Sequence, residues 1–122
     1  MSKRILIIED QEDNRTILRD LLTAAGYELI EAVDGEEGVK LAQQEKPDLI
    51  LMDIQLPVID GYEATRRIKA DPSTQSIPVI AVTSYALAGD ELKTREAGCD
   101  GYIAKPYSPR HLLEKVREIL AR

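Results

Sequence analysis

The sequence predicts an α/β fold in which helices cover both faces of a doubly wound, five-stranded parallel sheet. Two observations support this prediction. Five short apolar runs alternate along the chain with stretches that have the periodicity of amphipathic helices. Three of these runs are apolar at consecutive positions, which is typical of strands buried on both sides. Because parallel neighbours need crossover helices of one hand, the alternation indicates a flavodoxin-like (βα)5 topology with strand order 2-1-3-4-5.

The predicted strands are the apolar runs, each bounded by charged or turn-forming residues. The first, third and fourth runs are continuously apolar, whereas the second is mixed and suits an edge of the sheet. The predicted strands comprise residues 4–9, 28–32, 48–53, 78–83 and 101–104.

The first two helices are predicted from apolar faces and from residues that cap or stop a helix. The first is expected to end near Gly26, because glycine readily takes the conformation that follows a helix. Its buried face is expected to comprise Ile17, Leu18, Leu21, Leu22 and Ala25. The second begins after Asp34, which Glu37 follows as in a capping box, and it ends before Pro47.

Three more helices are predicted in the second half of the chain. The third runs from about residue 61 to residue 70, and the fourth covers residues 87–97. The fourth has few apolar residues at poor spacing, so we expect it to be the least firmly packed helix. In the fifth, Ser108 can cap the first turn and Pro109 suits that turn. Its buried stripe is Leu112, Leu113, Val116, Ile119 and Leu120.

Length and composition predict one soluble domain over residues 1–122. With 122 residues and a hydrophobic fraction of 43%, the chain can form one sizeable core. Its apolar runs are far shorter than the roughly 20 residues that span a membrane, and its one cysteine, Cys99, suits a reducing compartment. We therefore expect a cytoplasmic protein. The last helix is predicted to end almost at Arg122, so the chain is either a stand-alone protein or a domain of a longer one.

The charge of the chain argues against nucleic acid as a direct partner. The formal net charge is -6, and the lysines and arginines are interleaved with acidic residues as on solvated helix faces. A negative protein repels phosphate backbones unless its basic residues form one strong patch, and the sequence shows no such patch.

The residues at the carboxyl ends of the predicted strands form a candidate site. Ligands bind at this edge in open α/β sheets, so the residues that end the strands are expected to lie together. Three carboxylates, a hydroxyl and an ammonium meet there: Glu9 and Asp10 after the first strand, Asp53 ending the third, Thr83 ending the fourth, and Lys105 after the fifth. Any one of them alone is ordinary in a loop or on the surface, and it is their coincidence that favours a functional site.

These residues suit phosphoryl transfer with the help of a divalent metal. Carboxylates gathered this closely repel one another unless a cation lies between them, and Mg²⁺ prefers oxygen ligands. With the metal bound, Asp53 is expected to attack phosphorus as a nucleophile. The metal, the Lys105 ammonium and the Thr83 hydroxyl would share the charge of the transferred group.

The chain resembles the response-regulator receiver domains along essentially its whole length. The resemblance is carried by Glu9-Asp10, Met52-Asp53-Ile54-Gln55-Leu56-Pro57, Asp60-Gly61, Thr83, Tyr102 and Lys105-Pro106. Residues 51–57, 89–91 and 98–99 are most similar to DivK-type single-domain receivers. They are also similar to receivers fused to hybrid histidine kinases.

The resemblance implies a phosphoacceptor role for Asp53 and binding of Mg²⁺, with Mn²⁺ as a substitute. The implied ligands are Asp10, Asp53 and the backbone carbonyl of Gln55, with Glu9 acting mainly through water. A cis bond between Lys105 and Pro106 is also implied. The implied phosphodonor is a sensor histidine kinase or a histidine phosphotransfer protein, and the phosphorylated receiver, a monomer or weak dimer, would bind a downstream protein target.

Phosphorylation is expected to act through a conformational change. We expect the Thr83 hydroxyl to move toward the phosphoryl group, Tyr102 to turn inward and residues 87–97 to shift. This would alter the face formed by the fourth helix, the fifth strand and the fifth helix. Packing of Tyr102 at the edge of the sheet is the alternative, and the two roles can coexist.

Three other functions fit parts of the sequence. An aspartyl-phosphate phosphatase or phosphotransferase also uses an aspartate after a strand, but Gln55 stands where the haloacid-dehalogenase pattern has a second aspartate. An FMN carrier has the same fold, but its phosphate loop should be rich in Ser, Thr or Gly, and residues 9–13 are acidic. An interaction module that works without phosphorylation would not need the complete set of acidic, hydroxyl and lysine residues.

Overall fold

The computed structural model describes residues 2–84 and 90–122, except for the side chain of Asp90. Within these ranges the strands are β1 (Arg4–Ile8), β2 (Glu28–Ala32), β3 (Leu49–Asp53), β4 (Val79–Thr83) and β5 (Gly101–Ala104). They form one sheet in the order β2-β1-β3-β4-β5, and all neighbours are parallel. The predicted fold class and strand order are confirmed, and β2 lies at an edge as its mixed sequence indicated.

Helices follow the strands in regular alternation. In the described residues they are α1 (Glu12–Ala24), α2 (Gly35–Glu45), α3 (Gly61–Ala70), α4 (Asp90–Ala97) and α5 (Pro109–Leu120). The predicted start of the fourth helix at residue 87 lies outside the described residues. None of the described helices is long and apolar enough to cross a bilayer.

Two apolar cores form on opposite faces of the sheet, because successive residues of a strand point to opposite sides. In β1, Ile5 and Ile7 pack in the core that contains the buried side chains of α1 and α5. Leu6 and Ile8 pack in the other core, with side chains of α2 and α3. All four are fully buried, which explains why this run is apolar at consecutive positions.

Among the described residues, side chains cap the start of three helices. Asp34 accepts a hydrogen bond from the Glu37 backbone N–H, and Ser108 accepts one from the first turn of α5, as predicted. Asp60 caps α3 in the same way. Each cap contributes about 1 kcal/mol to the stability of its helix. In α3 the cap also sets where the helix begins, directly after the loop that follows β3.

The predicted buried face of the first helix is wrong at two positions. Ile17 is 52% exposed, and Ala25 is exposed just beyond the end of α1. Leu18 and Leu22 are buried as predicted. The apolar stripe of α1 is wider than the surface it covers, and Ile17 lies at the carboxyl edge of the sheet, where it lines an open cavity.

Few side chains of α4 are buried. Leu92 is 56% exposed, and Thr94 and Ala97 are the buried side chains among the described ones of this helix. This agrees with the expectation that α4 is weakly packed.

Candidate functional site

The carboxyl ends of β1 and β3 bring three carboxylates together. Ile8 pairs with Met52 in the parallel register, so Glu9 follows β1 beside Asp53, the last residue of β3. Carboxylate oxygens of Glu9, Asp10 and Asp53 all lie within 4.8 Å of one another. Glu9 and Asp53 are buried, with exposed fractions of 2% and 7%, whereas Asp10 is exposed. The structure therefore joins the acidic residues that the sequence placed at two strand ends.

Lys105 holds its ammonium group beside two of these carboxylates. Its Nζ lies 3.4 Å from Glu9 Oε1 and 3.6 Å from Asp53 Oδ2. The Lys105 backbone N–H donates to the Thr83 carbonyl at 2.7 Å, which ties the lysine to the end of β4. The peptide bond between Lys105 and Pro106 is cis. A single ammonium cannot neutralise three carboxylates, so the cluster keeps an excess of negative charge.

The surroundings of Glu9 favour a cation at this cluster. Burial raises the pKa of the Glu9 carboxyl, and the neighbouring Asp53 raises this pKa further, while the Lys105 ammonium acts in the opposite direction. Glu9 Oε2 is buried, and no group in the described part of the chain donates a hydrogen bond to it. Burying an oxygen atom without a hydrogen-bond partner costs folding free energy. A hard divalent cation takes oxygen ligands, so these residues fit an Mg²⁺ site.

Asp53 is held by contacts from the loop and from the helix that follow it. Its Oδ1 accepts a hydrogen bond from the Gln55 backbone N–H at 3.0 Å. The first residue of α3, Gly61, packs directly on the backbone: a Cβ there would collide with the Asp53 carbonyl oxygen and lie 2.7 Å from Ile54 Cα. The Gly61 N–H also donates to the Ile54 carbonyl at 2.9 Å. Glycine at this position lets α3 begin against the strand end that carries Asp53.

Thr83 and Tyr102 lie on adjacent strands beside this cluster. Thr83 ends β4, is fully buried and pairs in register with Ala104. Tyr102 is half-buried in β5 and pairs with Ala81. Residues that are two apart in a strand point to the same side, so Thr83 and Tyr102 share one face of the sheet. Thr83 at the end of β4 and Tyr102 in β5 therefore lie on neighbouring strands of that face.

A cavity of about 430 Å³ opens beside the acidic cluster. Its apolar walls include Ile17, Leu18, Pro106 and Tyr107, and its polar edge includes Glu9, Asn14, Asp53 and Lys105. Asn14 is not among the residues predicted from the sequence. It lies three positions before Ile17 on α1, and this spacing on one side of a helix is the signal that points to it.

Cys99 is not part of this site, and it is a weak nucleophile. Burial raises the pKa of its thiol to about 11. The thiol therefore stays protonated near neutral pH, and the thiolate is the reactive form. Cys99 packs against the core that contains side chains of α2 and α3.

Comparison with known proteins supports one family. The sequence profile of the response regulator receiver domain matches residues 5–117. The polar-differentiation response regulators DivK of Brucella anthropi and Brucella ovis are each 47% identical over 120 residues, which cover 98% of both chains.

Two solved structures share both the fold and part of the sequence. One is the receiver domain of the sensor histidine kinase PA1611 from Pseudomonas aeruginosa, with a magnesium ion coordinated in its active-site cleft. It is 36% identical over the full length of both chains, with a TM-score of 0.93. The other is a CheY-like receiver domain protein from Methanospirillum hungatei, 36% identical with a TM-score of 0.89, covering 99% of this chain and 95% of that one.

The family match covers most of the chain, and the acidic cluster lies at the strand ends where the resemblance places it. Family membership favours phosphoacceptor signalling over the phosphatase alternative, because receivers are regulatory domains and not classical enzymes. The chain belongs to the response regulator receiver domains, the phosphoacceptor modules of two-component signalling.

Proposed function

We propose that Asp53 is the residue that accepts the phosphoryl group. The observation that carries this proposal is the cluster of Glu9, Asp10 and Asp53 carboxylates within 4.8 Å, beside the Lys105 ammonium. Asp53 is the member of this cluster that ends a central strand and faces Lys105 through Oδ2. Its position suits a nucleophile that meets a donor from the open edge of the sheet.

The metal in this proposal is Mg²⁺, with Mn²⁺ as a substitute. The proposed ligands are Asp10, Asp53 and the backbone carbonyl of Gln55, with Glu9 acting mainly through a bound water. Two carboxylates and one carbonyl suffice, because Mg²⁺ keeps several waters in its octahedral shell. When bound, the ion would neutralise the carboxylates and align the reacting oxygens. Support comes from the unpaired, buried Glu9 Oε2 and from the magnesium ion of the Pseudomonas receiver.

In this proposal, the protein groups around Asp53 interact with the oxygens of the phosphoryl group. An Asp53 oxygen forms the new bond to phosphorus, and the bond from phosphorus to the donor atom breaks, with its electron pair staying on the donor. The Lys105 ammonium, 3.6 Å from Asp53 Oδ2, balances charge on the transferred group. The Thr83 hydroxyl, buried at the end of β4, is assigned a hydrogen bond to one phosphoryl oxygen.

The proposed donor is a phosphohistidine on a sensor histidine kinase or a histidine phosphotransfer protein. Membership of the receiver family implies a histidine kinase partner. The exposed Ile17 and the apolar cavity beside Asp53 offer a surface against which such a donor can dock. We further propose that residues 1–122 act as one cytoplasmic domain, a monomer or weak dimer, that binds a downstream protein target and no nucleic acid.

Removal of divalent metal is expected to slow phosphorylation by about 100-fold or more, because the metal contributes several kcal/mol to stabilising the transferred charge. The protein is incubated with a small activated phosphodonor, in Mg²⁺ or in a chelator, and the gain of phosphoryl mass is followed by intact mass spectrometry. Circular dichroism in both conditions controls for folding. An equal rate in the chelator would exclude the proposed metal role.

The proposed output is a change in the face formed by α4, β5 and α5. Replacing Thr83 by alanine is expected to leave Asp53 able to accept phosphate. The coupling free energy between phosphorylation and the change in this face is expected to fall by about 1–2 kcal/mol. Hydrogen exchange of residues 90–104 is compared between phosphorylated and unphosphorylated protein. The control is Thr74→Ala, which removes another fully buried hydroxyl, in the loop between α3 and β4. If Thr83→Ala kept the full wild-type response, Thr83 would not be the sensor.

A further inference from the structure

Arg15 joins α1 to the backbone of the acidic cluster. Its Nη1 donates a hydrogen bond to the Glu9 backbone carbonyl at 2.9 Å. Its Nε lies 3.6 Å from Glu31 Oε1 on β2, and only 15% of the Arg15 side chain is exposed. Glu31 therefore holds the guanidinium on its Nε side, while Nη1 points toward the end of β1.

The Glu9 carbonyl lies at the point where the chain leaves the sheet. The Glu9 N–H still belongs to the sheet, where it donates to the Ala32 carbonyl at 3.0 Å. The Glu9 carbonyl and the Asp10 N–H belong to one planar peptide unit, so the direction of that oxygen fixes the orientation of the peptide that leads into Asp10. The Asp10 side chain itself is exposed and lies beyond the last residue of β1. Its carboxylate thus depends on this peptide for its position.

We propose that Arg15 is a positioning residue that clamps the Glu9–Asp10 peptide and thereby holds the Asp10 carboxylate in place for the divalent metal. This inference rests on the proposed function, since it assumes that the acidic cluster binds Mg²⁺. Groups that orient metal ligands commonly change metal affinity by 10–100-fold when they are removed, without touching the metal themselves.

When Arg15 is removed, the loss of its hydrogen bond and the loss of its charge predict opposite changes in metal affinity. Arg15 is positive, so removing it lowers the repulsion felt by an incoming cation and would tighten metal binding if charge alone mattered. Loss of the clamp frees the Asp10 peptide and weakens binding. The sign of the change in affinity therefore separates the two accounts.

Arg19 provides a matched control on the same helix. It forms two hydrogen bonds to the same Glu31 carboxylate, at 2.8 and 2.9 Å. The described contacts of its guanidinium do not include the Glu9 carbonyl. Arg15→Met and Arg19→Met remove the same charge from the same surface and keep an unbranched apolar stem, but only the first removes the clamp.

The test measures Mg²⁺ affinity by isothermal titration calorimetry in wild type, Arg15→Met and Arg19→Met. Arg15→Met is expected to bind Mg²⁺ about 10-fold more weakly, and Arg19→Met to bind as wild type does or slightly more tightly. In metal-free protein, the NMR resonance of the Asp10 backbone amide is expected to shift in Arg15→Met and to keep its wild-type position in Arg19→Met. If Arg15→Met does not fold, Arg15→Lys keeps the charge and is expected to weaken binding in the same direction, because one ammonium cannot contact both Glu31 and the Glu9 carbonyl as the guanidinium does.

Two other results have separate meanings. Wild-type affinity or tighter binding in the folded Arg15 variant, with an unchanged Asp10 amide resonance, would overturn the clamp and leave the proposed function intact. Failure of the wild-type protein to bind Mg²⁺ would instead overturn the metal site itself, and with it the basis of the inference.

Discussion

Replacing Asp53 by asparagine is expected to lower the rate of phosphorylation by at least about a thousandfold, to no detectable gain of mass. The amide is not nucleophilic and cannot form a carboxyl-phosphate bond. Asparagine has nearly the same shape, and its Oδ1 can still accept the hydrogen bond that the Gln55 N–H now donates at 3.0 Å. The measurement is intact mass spectrometry after incubation with a small activated phosphodonor and Mg²⁺.

Folding of the variant provides an internal check on this result. Asp53 raises the pKa of the buried Glu9 carboxyl, so removing its charge relieves a repulsion, and the melting temperature should be unchanged or higher. The matched control is Asp60→Asn, an aspartate of the same loop whose Oδ1 also accepts a backbone N–H, at 2.9 Å. Asp60→Asn should be phosphorylated like wild type. Wild-type phosphorylation of folded Asp53→Asn would place the acceptor on another residue.

Replacing Gly61 by alanine is expected to destabilise the protein by about 3 kcal/mol and to weaken the metal site. The new Cβ would collide with the Asp53 carbonyl oxygen and lie 2.7 Å from Ile54 Cα, and both of these atoms belong to the backbone. A backbone atom cannot rotate away as a side chain can, so α3 must move off the end of β3. Chemical denaturation measures the stability, and calorimetry with Mg²⁺ measures the effect on the site.

Gly101→Ala is the control for adding a methyl group at a glycine. A Cβ at Gly101 would meet Lys115 Cε at 3.3 Å and Ile80 Cγ1 at 3.4 Å, and the first of these is the end of a flexible side chain. We expect a loss of stability below about 1 kcal/mol and unchanged metal affinity. Equal effects of the two substitutions would show that the close approach at Gly61 does not matter for the site.

The strands could be predicted from the sequence because their signal is local. The continuous apolar run of β1 reflects burial of Ile5 and Ile7 in one core and Leu6 and Ile8 in the other. The mixed run of β2 reflects its place at the edge. Helix limits were predicted well where a cap or a stop marks them, as at Asp34 and Ser108.

Packing of individual side chains was predicted less well. Periodicity placed Ile17 on the buried face of the first helix, but the side chain is 52% exposed because the apolar stripe of α1 is wider than the surface that it covers. The sequence did not indicate Asn14 as a neighbour of the acidic cluster. Helical periodicity gives the direction of a side chain and carries no information about where the opposing surface ends.

The sequence alone determined the order of strands and helices and the meeting of Glu9, Asp10, Asp53 and Lys105 at one edge of the sheet. Parallel strands all end at the same edge, so identifying the last residue of each strand is sufficient for that prediction. Only the tertiary structure decided that Glu9 is 2% exposed, that Gly61 packs on the Asp53 backbone, and that Arg15 reaches the Glu9 carbonyl. These features depend on atoms that meet across separate elements at distances of a few ångströms, and local pattern does not encode such distances.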